Sequence, residues 1–83
     1  MNLLYFAWVR QRVGRSEEAF DLPEGVRTVR ALAEHLRARG GGYGDAFADL
    51  GRLRAAVNQT HVPFDSEVAP NDEVAFFPPV TGG

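Results

Sequence analysis

Residues 2 to 9 run apolar almost without a break, Asn2-Leu3-Leu4-Tyr5-Phe6-Ala7-Trp8-Val9, until Arg10-Gln11-Arg12 and Gly14 interrupt them. Aliphatic and aromatic side chains bounded by a polar stretch and a glycine predict a first strand over 2–9. Glu18, Phe20 and Leu22 then alternate with Glu17, Ala19 and Asp21, the period-two pattern of a half-buried strand, and Pro23-Glu24-Gly25 closes it. A short polar turn between the two strands predicts a hairpin. From Thr28, an N-cap by residue type, Val29, Leu32, Ala33 and Leu36 keep the i, i+3, i+4, i+7 spacing of one helical face. Arg37 and Arg39 suit the negative end of that helix, and Gly40 supplies its stop. Gly40-Gly41-Gly42-Tyr43-Gly44 predicts a loop leading to a helical turn over 45–50. A short strand is predicted over 55–59, another over 60–64 limited by Pro63, a turn at Pro70-Asn71-Asp72, and a last strand over Glu73–Phe77. The order β-β-α-β-(β)-β predicts an α+β domain with its helix across one face of the sheet.

Length limits this pattern to one core, because halves of an 83-residue chain fall below the size that folds unaided. The expected division is a domain over 1–77 and an extended tail over 78–83. The chain has no cysteine, which excludes disulfides, thiolate metal sites and cysteine nucleophiles. Net charge is −2, and all nine basic residues are arginines scattered among acids, so no basic stripe points to nucleic acid. The apolar run from Leu3 to Val9 is too short for a membrane span or a signal peptide, making a cytoplasmic protein without membrane attachment the expectation. The glycine cluster follows a helix and lacks the lysine and Ser/Thr of a nucleotide loop. Glu17-Glu18 and Asp72-Glu73 would point to opposite faces of a strand, which rules out an acid–base pair at either. No ligand set for a metal stands out, and His35 is expected to face water.

The tail raises a different chemistry. Phe76-Phe77-Pro78-Pro79-Val80-Thr81-Gly82-Gly83 runs a strand into two prolines, which fix φ and carry no N–H, so the ladder cannot continue. From Pro78 onward the chain can reach about 20 Å when extended, and Gly82 and Gly83 pass through a gap too narrow for a Cβ. This shape suits delivery of the Gly83 carboxylate into a partner's active site. Adenylation by ATP would make that carboxylate an acyl phosphate open to attack by a sulfur donor, leaving a thiocarboxylate on a slim arm. A chain without lysine carries no side-chain amine to consume its own activated end.

Asn71-Asp72-Glu73-Val74-Ala75-Phe76-Phe77-Pro78-Pro79-Val80-Thr81-Gly82-Gly83, with Ala55-Ala56-Val57-Asn58-Gln59-Thr60 and Tyr5-Phe6-Ala7-Trp8-Val9-Arg10, resembles the small subunit of molybdopterin synthase. The Phe-Phe-Pro-Pro-Val form also separates it from the thiamine-pathway sulfur carrier, a shorter relative with the same diglycine. The resemblance implies a ubiquitin-like β-grasp fold with a mixed sheet of four to five strands. It implies a thiocarboxylate on Gly83, formed after a ubiquitin-activating-type adenylyltransferase uses ATP and a sulfur-donor enzyme loads the end. It further implies entry of the loaded tail, Pro78 to Gly83, into the large synthase subunit, where sulfur passes to cyclic pyranopterin monophosphate (precursor Z). Two loaded small subunits would serve each dithiolene, in a heterotetramer of two small and two large subunits. No bound cofactor is implied for the small subunit itself, and catalysis belongs to its partners.

In the predicted first strand, Asn2, Leu4, Phe6, Trp8 and Arg10 share a side with polar ends and large apolar middles. Glu73, Ala75 and Phe77 form the less core-like side of the last strand. In a β-grasp sheet these strands are neighbours, so Phe6 and Phe77 are expected to anchor an exposed patch, with Arg10 and His61 at its rim. The competing view places both faces of the first strand in the core. Two other functions fit the same features: a ubiquitin-like modifier conjugated to target lysines, and a β-grasp binding module whose tail is a recognition segment.

Overall fold

The computed structural model describes residues 1–79. In chain order it contains β1 (Asn2–Tyr5), α1 (Ala7–Val13), β2 (Glu17–Ala19), α2 (Val29–Arg37), α3 (Gly41–Ala46), a 3-10 turn (Leu50–Arg52), β3 (Arg54–Val57), β4 (Thr60–Val62) and β5 (Glu73–Phe77). The strands form one sheet in the order β2-β1-β5-β3-β4. β1 and β5 run parallel at its centre, and the other pairings are antiparallel. This mixed five-stranded sheet with helices is the expected α+β, β-grasp arrangement.

Side-chain alternation divides the sheet. Leu3, Tyr5, Val74, Phe76 and Ala55 point inward and are buried with Val9 of α1, Val29, Leu32, Ala33 and Leu36 of α2, and Ala46 of α3. All three helices therefore cover the same face. Phe47 closes the core edge-on against Tyr5 and Phe76, with ring centroids 6.4 and 4.9 Å away. On the opposite face the register lines up Glu17, Leu4, Ala75, Ala56 and His61 across five strands, and Phe77 beside Arg54.

Elements with a full period in the sequence form as expected. Thr28 caps α2, its hydroxyl accepting from the Ala31 amide at 3.1 Å, and the predicted apolar stripe is the buried one. Beyond the helix, Gly40 turns the chain at φ +76°, which a side chain would strain. β5 has the predicted bounds. Asn58 and Gln59 both adopt left-handed φ, 50° and 70°, giving the tight two-residue turn between β3 and β4. The strands predicted over 17–22 and 60–64 are shorter, ending at Ala19 and Val62.

Three expectations are corrected. The run over 2–9 is not one strand: β1 ends at Tyr5, and Trp8, Val9 and Arg10 belong to α1. A short apolar run does not distinguish strand from helix by periodicity. Here Ala7 at φ +53° breaks the extended path, the Val9 and Gly14 amides bond back to the Phe6 and Arg10 carbonyls, and Gly14 ends the helix left-handed. The β1–β2 connection is consequently a helix-bearing segment, not a short polar turn. The glycine cluster is not a loop: residues 41–46 form α3. Low helix propensity yields to packing, since a Cβ on Gly42 would sit 1.8 Å from the Arg12 carbonyl oxygen of α1. Finally, no helical turn spans 45–50; α3 stops at Ala46, and the turn lies at Leu50–Arg52.

Candidate functional site: the bare sheet face and the tail exit

The last strand ends where three elements meet. β5 is flanked by β1, with Tyr5 opposite Phe76, and by β3, with Arg54 opposite Phe77. One residue past β1, the Phe6 amide still donates to the Phe76 carbonyl at 3.2 Å, so Phe6 is tied to the end of β5. Pro78 and Pro79 follow, half-buried. Without amide hydrogens they cannot extend the ladder, and the chain leaves the sheet. The predicted tail residues Val80, Thr81, Gly82 and Gly83 lie outside the described residues.

The residues predicted for the docking patch gather around this exit, by a different route from the one the sequence suggested. Phe6 is 48% exposed, a large apolar side chain left in water. Phe77 is half-buried, and the ring of exposed His61 lies 5.0 Å from it, bringing β4 to the end of β5. Arg10 is exposed but sits one turn into α1, its amide bonded to the Phe6 carbonyl at 3.3 Å. It shares no strand face with Leu4 and Phe6. Trp8 is likewise displaced from that face: on α1 it lies under the guanidinium groups of Arg12 and Arg52, 4.9 and 5.5 Å from its ring centre. Leu4 keeps the predicted side, half-buried beside Ala75.

Two features escaped the sequence reading. Arg54 stands opposite Phe77, and only the register of β3 against β5 reveals it. The second is an acid held inside the molecule. Glu18 accepts hydrogen bonds from the hydroxyls of Tyr5 (2.8 Å) and Tyr43 (2.5 Å), and from Arg39 (3.3 Å) and Arg15 (3.4 Å). Its side chain is only 7% exposed. Burial alone would raise its pKa, but the bonds from Tyr43 and Tyr5 and the charge of Arg39 outweigh burial and hold it below the ordinary carboxylate range. Burial and the bond to the Glu18 carboxylate push both tyrosines up, so their hydroxyls stay protonated donors. With every partner engaged, this cluster joins β1, β2, α3 and the segments that follow α1 and α2, and offers no free acid or base. Glu17 points to the other side and is exposed, so the adjacent carboxylates do stand apart.

Among the described residues no group of His, Asp or Glu is placed to hold a metal ion. No helix among them is long and apolar enough to cross a membrane. What the site presents is a bare sheet face, an aromatic and basic rim, and a strand ending in prolines.

Comparison with known proteins matches this arrangement. The family model described as ThiS family covers residues 3–83. The molybdopterin synthase sulfur carrier subunit of Escherichia coli is 49% identical over 100% of this chain and 99% of its own length. That of Haemophilus influenzae is 42% identical, also over 100% and 99%. Among solved structures, a Pyrococcus furiosus protein provisionally named molybdopterin converting factor, subunit 1, superposes with a TM-score of 0.68 at 32% identity, covering 95% of each chain. SAMP1 from Haloferax volcanii reaches 0.72 at 24% identity over 100% of this chain and 98% of its own, a likeness of fold. The chain belongs to the ThiS family of β-grasp proteins, with molybdopterin synthase sulfur carrier subunits among its full-length relatives.

Proposed function

We propose that this chain is the sulfur-carrying subunit of a molybdopterin synthase. The observation that carries this reading is the 49% identity to such a subunit across the whole chain. The division of labour follows from the two parts: a domain over 1–77 that docks, and a tail over 78–83 that delivers. An adenylyltransferase joins the Gly83 carboxylate to AMP, releasing pyrophosphate from ATP. A sulfur donor then forms a C–S bond at the Gly83 carbonyl as the C–O bond to AMP breaks, giving a thiocarboxylate. With the bare sheet face docked on the large subunit, Pro78, Pro79, Val80, Thr81 and Gly82 carry this nucleophile to precursor Z. Residues of the large subunit catalyse the transfer, and two loaded chains serve each dithiolene.

The docking patch comprises Phe6 and Phe77 as apolar anchors, with Arg10 and His61 at the rim. Phe6 supports this assignment most directly, because it is the large apolar side chain that the described residues leave 48% exposed. A two-plus-two heterotetramer with the large subunit is the assembly this reading expects.

Intact-mass measurement tests the chemistry. After incubation with the activating enzyme, ATP and the sulfur donor, one oxygen should be replaced by one sulfur, localised to Gly83 by fragmentation. A carboxylate that stays unmodified under those conditions refutes the carrier reading.

A further inference from the structure

A cleft of about 360 Å³ is lined in part by Arg54, the cross-strand neighbour of Phe77. Leu50, Leu53, Val62 and Phe64 give it apolar walls, and Arg30 and Arg54 supply its charge. Three features set it apart from an ordinary surface hollow. The Arg54 guanidinium is held in place: its Nη1 donates to the carbonyls of Leu53 (2.8 Å) and Gly51 (3.4 Å). Two of its five N–H donors are thereby used, leaving the remaining edge for a planar acceptor. Among the described residues no carboxylate pairs with it, the ion pairs being those of Arg15, Arg30 and Arg39. Arg30, the second charge, stands 5.8 Å from the Phe64 ring. Its counter-ion, Asp65, is 3.3 Å away with 86% of its side chain exposed. Such a surface pair is worth little and yields to a better acceptor.

A fixed, unneutralised guanidinium, a second one easily freed and apolar walls together suit a carboxylate with an apolar side chain next to it. The chain as a whole is net negative, so this attraction is local to the cleft. The cleft also adjoins the docking patch, because Arg54 is the cross-strand neighbour of Phe77. We propose that this cleft receives an acidic segment of the large subunit, one carboxylate shared by Arg54 and Arg30 with an apolar neighbour against Leu53 and Phe64. The pairing would fix the angle at which β5, and with it the base of the tail, meets the partner. This inference rests on the carrier reading, since the occupant belongs to the protein that receives the tail.

The test is titration calorimetry of the full chain against the large subunit, at low and high salt. Arg54→Glu should weaken binding at least about tenfold and flatten its salt dependence. Arg54→Lys should recover only part, lacking the planar fork. Arg30→Glu should weaken binding as well, although Arg30 lies on α2 and not on the sheet face. Because both arginines are to hold one carboxylate, the double variant should lose less than the two single losses combined. Arg27→Glu, the same charge change at an exposed position outside the cleft, should bind like the parent chain. Both residues are exposed, and circular dichroism will show that each variant is folded. Parent-like affinity and salt dependence in Arg54→Glu and Arg30→Glu would overturn the proposal while leaving the carrier reading intact. Equal weakening by Arg27→Glu would overturn it too, by reducing the effect to net charge. If the parent chain itself fails to bind the large subunit, the carrier reading falls and takes this occupant with it.

Discussion

Glu18 shows how one side chain can decide the energetics of a small domain. The Tyr5 residue is 1% exposed, and the acceptor for its hydroxyl is the Glu18 carboxylate. Glu18→Ala would leave that donor unpaired and remove the partner of Arg39, so a loss of about 3 kcal/mol is expected in urea denaturation. Glu18→Gln keeps an acceptor and should lose less. The pH dependence has a definite sign. Glu18 ionises in the folded state below its ordinary value of 4.5, so as pH falls the unfolded chain takes up its proton first. The stabilisation is complete above that ordinary value, fades as pH drops through the depressed folded value, and is gone below it. Urea midpoints measured across this acid range should fall steeply for the parent chain and more gently for Glu18→Gln. Parallel curves would show that the carboxylate's charge is not what stabilises the cluster.

At the level of elements, α3 offers a comparison between two glycines in one short helix. A Cβ on Gly42 meets backbone of α1, the Arg12 carbonyl oxygen at 1.8 Å and its carbon at 2.8 Å, which no rotamer change relieves. On Gly44 the nearest atom is the Arg37 carbonyl oxygen at 3.7 Å, an ordinary contact. Alanine improves helix propensity by about 1 kcal/mol at either position, while overpacking against a fixed neighbour costs about 1–3 kcal/mol. Gly42→Ala should therefore lower the melting temperature and Gly44→Ala raise it; the same sign for both would mean that α3 does not pack on α1 as described. The same helix marks the limit of what the sequence reveals. α2 and β5 were legible because cap, period and stop all lie within a single segment. For α3 the deciding fact is a carbonyl thirty positions away in the chain, so Gly-Gly-Tyr-Gly reads as loop. α1 was hidden differently, inside an apolar run that continues a strand until Ala7 turns it. The residues proposed for docking divide in the same way. Phe77 follows from strand alternation, whereas the place of Arg10 depends on α1 and that of Arg54 on a cross-strand register. The Glu18 partners come from positions 5, 15, 39 and 43 and share no local pattern.

For the whole molecule, the proposed function assigns holding to the sheet and delivering to the tail. Every helix among the described residues sits on one face, so substitutions at exposed positions of the other face are expected to cost less than in a domain with a two-sided core. Phe6 is the sharpest probe of that separation, being exposed and tied to the sheet through its backbone amide. Phe6→Asp should shift unfolding free energy by no more than about 0.5 kcal/mol, as expected for an exposed site. Binding to the large subunit should weaken by about 2 kcal/mol or more, since a charge would face an apolar partner. Removal of Gly82 and Gly83 should do the reverse, leaving docking near the parent level while abolishing sulfur loading. The two variants together decide between architectures. If Phe6→Asp melts early, the outer face contributes to stability and the competing view of the first strand holds. If the diglycine deletion loses docking as severely as Phe6→Asp, the tail supplies affinity as well as chemistry, and the sheet face is not sufficient to dock. The expected result, full stability with lost docking in one variant and full docking with lost loading in the other, would place affinity on the sheet and reactivity at the chain's end.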